Sequence, residues 1–155
     1  MTDLHHQYMY IKSSREVLFE FCRTLSADHF IYEHANFGRG SIRNLLVHIA
    51  NVYQFWIGAK ALGREEPFTP FDAVVNMDEM YSLFNKIDDL MDTFLRSIGP
   101  TPLKRLSFER NGVQASETAL TLFTHVVTHE FHHKGQVLSM SRHMGYIPVD
   151  TDIIR

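Results

Sequence analysis

Apolar residues recur along this 155-residue chain at helical rather than alternating spacing, and recognisable stops separate the stretches. Tyr8, Ile11, Val17, Leu18, Phe21 and Leu25 form one stripe, which predicts a first helix from about Leu4 to Leu25. A polar stretch from Ala27 to Gly40 follows and ends in Gly38-Arg39-Gly40. Ser41 then suits the N-cap of a second helix that continues to Gly63. The third helix begins at Asn76, with Glu79 where a capping-box carboxylate belongs, and ends at Gly99-Pro100. Leu106 to Gln114 alternates around Asn111-Gly112, the dipeptide of a tight hairpin, so a small β-ribbon is expected there. A fourth helix starts near Ser116 or Glu117 and stops at Gly145, and the tail from Tyr146 to Arg155 packs across the bundle. With no repeat of fixed period, residues 1–155 read as one all-α domain, a four-helix bundle with a small β-hairpin before the last helix.

Composition narrows the function. Apolar types at 45% and charged types at 21% are ordinary globular values, which sets disorder aside. A net charge of −3, with scattered Lys and Arg, argues against nucleic acid as a partner. The most apolar stretch, Leu45 to Ile57, is broken by His48, Asn51 and Gln54, so no membrane span is expected. A lone cysteine, Cys22, and a start without the basic-then-apolar order of a signal peptide point to the cytoplasm. The outlier is histidine, present ten times and well suited to transition metals.

In the fourth helix, residues four apart share a face, so His129 and His133 aim at one point, with Gln136 three further on. Leu122, Val126 and Met140 occupy the same sector, whereas Thr121, Thr124, Thr128, His132, Gly135, Ser139 and Arg142 form a wet face. In the second helix His48 lies among Leu45, Val52, Phe55 and Ala59, again an inward sector. A single core histidine is more often hydrogen-bonded than ligating, but the combination favours a three-nitrogen metal site inside the bundle. Three protein ligands with an open fourth position are expected of catalytic rather than structural zinc. His125 is too far from His133 to share the ion and suits a supporting or packing role.

His129-Glu130-Phe131-His132-His133 also satisfies H-E-x-x-H, the metalloprotease pattern in which the glutamate is general base. The longer forms require Gly and His where Gln136 and Ser139 stand, or a later glutamate, and none follows Glu130. Glu130 reads instead as the i,i+4 partner of Lys134. A minimal H-E-x-x-H peptidase remains a minor alternative.

The run Ser41-Ile42-Arg43-Asn44-Leu45-Leu46-Val47-His48-Ile49, Trp56, and the spaced set His125, His129, His133, Gln136 with Gly145 together resemble the DinB-like family, a group of damage-inducible proteins. The resemblance spans nearly the whole chain. It implies an up-down four-helix bundle with one long crossover, holding a divalent ion, often zinc or nickel, and a homodimer. Carried over, the ligands fall on His48, His129 and His133, and Gln136 matches the family's glutamine near the site. Relatives include metal-dependent thiol transferases and isomerases using bacillithiol or mycothiol, and hydrolases. This chain departs from the family in the loop before the second helix, where Phe37-Gly38-Arg39-Gly40 replaces a segment with Pro and Trp.

The leading expectation is therefore a metal-dependent enzyme of thiol-transferase or hydrolase type acting on a small-molecule, thiol-bearing substrate. Gln136 is the catalytic candidate, orienting the reacting ligand, and Tyr53, His125 and Arg39 are candidate substrate contacts. The alternative is a non-catalytic, metal-stabilised bundle that binds a ligand in a stress response.

Overall fold

A computed structural model describes residues 3–155. Helix α1 (Asp3–Arg23) is followed by a short α2 (Ala27–Ile31), then α3 (Ile42–Tyr53), which runs on as a π-helical segment (Gln54–Ala61). After a long connection come α4 (Met77–Ile98), the antiparallel strands β1 (Arg105–Arg110) and β2 (Val113–Thr118), and α5 (Ala119–His143). The molecule is mostly helical, with α3 packed on α5 and α4, and α4 on α1. Met80, Phe94, Leu46, Ile49 and Val126 are among the residues sealed in the shared core.

The helix ends follow local chemistry. Ser41 accepts a hydrogen bond from the Asn44 amide at 3.1 Å, and Asn76 accepts one from the Glu79 amide at 2.9 Å. Glu79 in turn accepts from the Val75 amide at 2.6 Å, closing the box one residue before the cap. At the end of α5, Gly145 takes φ +87°, its amide bonds Arg142 O and the Tyr146 amide bonds Ser141 O, a Schellman closure. In the hairpin Asn111 and Gly112 both take positive φ, 53° and 77°, and Arg110 pairs with Val113, as a two-residue turn requires.

Two boundaries differ from the sequence reading. Helix α5 starts later than Ser116 or Glu117, because β2 extends through Thr118, whose side chain caps the helix by accepting from the Thr121 amide. The second predicted helix is not uniformly α, since its last turns are π-wound. Helix α2 lies inside the polar stretch from Ala27 to Gly40; Ser26 caps it, but five residues are too few to show a period.

Within the core lies a buried ion network that joins α1, α3, α4 and α5. Arg15 donates through Nε and Nη2 to Glu130 at 2.8 and 3.1 Å, and through Nη1 to Asp88 at 2.7 Å. Tyr8 donates to Asp88 at 2.7 Å, and Tyr53, from α3, donates to Glu130 at 2.6 Å. Burial alone would raise the Asp88 pKa, but Arg15, then Tyr8 and Lys12, outweigh it and hold the carboxyl below its ordinary value. The fold thus binds this proton less readily than the unfolded chain does. The resulting stabilisation is present above the unfolded carboxyl's pKa of about 3.9 and is lost as pH falls through the lower folded value. Denaturant midpoints measured from pH 6 down to pH 3 are expected to fall, and Asp88→Asn is expected to shallow the decline.

The tail is tied down as anticipated. Ser14 Oγ donates to Thr151 O, the Lys134 ammonium bonds both Ser14 Oγ and Thr151 O, and Arg155 reaches Ser13 Oγ at 2.8 Å. Earlier in the tail, the Tyr146 hydroxyl meets His29 Nδ1 at 2.8 Å.

Candidate metal centre

The seam between α3 and α5 carries the histidines. Ser41 starts α3 so that His48 falls on the side facing α5, while four-residue spacing on α5 sets His129 and His133 one turn apart. The structure brings all three together: their ligand nitrogens lie within 4.8 Å of one another. His48 Nε2 and His129 Nε2 are 3.1 Å apart, and the His48 and His133 ring centres are 4.8 Å apart. Nitrogens bound to one ion at ~2.0–2.1 Å sit roughly 3.3 Å from each other in tetrahedral geometry. Closing on a divalent ion would draw the three nitrogens together and move Arg39 Nη2 off His48 Nε2, which it meets at 3.3 Å.

Protonation favours the same use. Burial, the Arg39 charge and the two neighbouring imidazoles push His48 down to about 4. Burial and the imidazoles of His133, His125 and His132, followed by Arg39, push His129 down to about 4. His133 is also lowered by burial, against the opposing effect of its bond to Gln136. At neutral pH the three are uncharged, the form in which imidazole binds metal. Among the described residues no fourth histidine, cysteine or carboxylate joins the group.

The chain matches the profile of the DinB family over residues 1–155. It belongs to the DinB family. No curated protein matches it. Within this DinB-family bundle the three histidines are positioned to hold a metal ion. His48 and His129 are half-buried and His133 is buried at the edge of the seam, with exposed His125, His132 and Arg39 around them. Leu122, Val126 and Met140 of the same sector are buried on α5 with His133, so the cluster sits where the inward stripe of α5 meets its exposed side.

Gln136 stands behind the cluster. Its Oε1 lies 2.7 Å from His133 Nδ1, and its Nε2 lies 3.2 Å from His132. Accepting the Nδ1 proton leaves His133 Nε2 with its lone pair free, the way a supporting partner fixes a ligand's tautomer. His125 stacks on His129 with ring centres 5.9 Å apart and meets the Trp56 ring at 5.1 Å, in line with the packing role expected of it. Trp56 is held in turn by Phe108 of the hairpin and lies under the Arg110 guanidinium.

Two sequence assignments are corrected. Glu130 is not the surface partner of Lys134: its carboxylate is committed to Arg15 and Tyr53, and Lys134 is buried against Ser14 and Thr151. Tyr53 is fully buried in that network and is no substrate contact. The missed residue was Arg15, and its signal was present. It falls four residues after Ile11 and three before Leu18, on the apolar stripe of α1, where an unpaired guanidinium would be costly.

Proposed function

We propose that this protein is a divalent-metal-dependent enzyme, of thiol-transferase or hydrolase type, with His48, His129 and His133 as ligands and zinc or nickel as the ion. The observation that carries the reading is a three-imidazole cluster at a surface seam that no fourth histidine, cysteine or carboxylate joins among the described residues. Sealed structural sites have four protein ligands, whereas open three-ligand sites take substrate. Imidazole donors suit both zinc and nickel. An ion held there by neutral ligands would supply Lewis acidity, lowering the pKa of a water or thiol brought to it. The chain's own residues supply the rest: His133 is oriented by Gln136, and His129 is steadied by the His125 ring. The H-E-x-x-H peptidase reading lacks its base, because Glu130 is bonded to Arg15 and Tyr53.

The test is a thiol-transfer assay of zinc- and nickel-loaded protein with bacillithiol, mycothiol and coenzyme A, alongside ester and amide hydrolysis. Turnover abolished by His133→Ala supports the proposal. A protein that binds metal stoichiometrically but turns over none of the panel is a ligand-binding bundle instead. Gln136→Ala is expected to weaken metal binding by ~10–100-fold, the usual cost of losing a partner behind a ligand. Competition with a chromophoric chelator measures it, and Gln136→Glu, which retains an acceptor at Nδ1, should recover most of the loss.

A further inference from the structure

The loop that differs most from the family resemblance delivers a cation to the histidine cluster. Arg39 Nη2 lies 3.3 Å from His48 Nε2, the nitrogen that also faces His129 at 3.1 Å. The backbone behind it is pinned. Arg39 O accepts from Asn44 Nδ2 at 2.9 Å, the Gly40 amide bonds Phe37 O, and Gly40 takes φ +81°, a turn that glycine adopts without strain. The backbone that carries the guanidinium is therefore fixed beside the cluster, and the side chain reaches His48 from it.

Its guanidinium makes no ion pair among the described residues, although the Glu33 side chain packs beside the adjoining Gly40. The nearest acid on α5, Glu130, is spent on Arg15 and Tyr53. Arginine stays protonated, and three neutral imidazoles leave a divalent ion its full charge. Two cationic centres a few ångströms apart repel strongly unless an anion lies between them. The protein as a whole is acidic, with net charge −3, so this cationic spot is local and not part of a general basic surface.

We propose that an anionic group of the substrate bridges the metal ion and Arg39, which makes Arg39 the specificity-determining residue for small acidic substrates, a carboxylate-bearing thiol being the simplest. The inference rests on the metal-centre reading above and narrows its substrate class. The guanidinium fork suits a carboxylate in geometry as well as in charge.

The experiment uses cobalt(II)-loaded full-length protein titrated with mercaptoacetate and with 2-mercaptoethanol, following the sulfur-to-cobalt charge-transfer absorption. Mercaptoacetate can also chelate the ion, so the decisive quantity is the ratio of the two dissociation constants in wild type against Arg39→Ala. The preference for mercaptoacetate is expected to fall on the order of tenfold in Arg39→Ala, matching the loss of one charge-assisted contact, and to return in part in Arg39→Lys. An unchanged ratio in Arg39→Ala overturns the proposal, as does a spectrum that neither thiol alters. Failure of the wild type to bind cobalt would overturn the metal centre itself, an outcome the cobalt titration reads separately.

Discussion

On the proposed metal centre, replacing His129 by alanine is expected to abolish metal retention under conditions where wild type is expected to retain one ion per chain. The ring lies at the middle of the cluster, 3.1 Å from His48 through Nε2 and with its ring centre 4.4 Å from that of His133. Loss of a direct ligand should exceed the ~10–100-fold cost of losing a supporting partner. Elemental analysis after dialysis against a weak chelator reads this directly. His6→Ala serves as the control, because that residue is exposed on α1, away from the cluster. Equal metal content in His129→Ala and wild type would show that the three imidazoles do not share an ion. Overall helicity should be unchanged, since His129 is half-buried and outside the apolar core.

The largest expected loss of stability lies elsewhere. Arg15→Met leaves Glu130 and Asp88 without their shared cation, and the side chains of Arg15 and Glu130 are only 5% and 4% exposed. Removing one partner of a buried pair typically costs about 3–5 kcal/mol, because the other is left buried and unpaired. Urea unfolding monitored by circular dichroism measures it. A double variant, Arg15→Met with Glu130→Met, should lose clearly less than the sum of the two single losses, since it removes both charges together. Additive losses would mean the two side chains do not interact energetically.

Local chemistry carried most of the architecture. Asn111-Gly112 announced its hairpin because both positions need positive φ, and Ser41 and Asn76 announced their helices through short polar side chains that reach back to backbone amides. The histidine set was legible because four-residue spacing on one helix is a strong geometric statement. That His48 would join it required the packing of α3 on α5, which the apolar faces implied only in outline. The Arg15–Glu130 link was hidden for a physical reason. The two partners are 115 residues apart, and a charged pair four apart on a helix looks like a surface bridge until its distant third member is known. The π-helical winding after Tyr53 left no mark in the hydrophobic pattern that separates it from an ordinary helix.

Trp56 is the only tryptophan in the chain, and its indole touches His125, which stacks on His129. The protein therefore contains a built-in fluorophore one imidazole away from the histidine cluster. Filling or emptying that cluster should alter the emission without any attached dye, so occupancy can be followed in the native, unmodified chain.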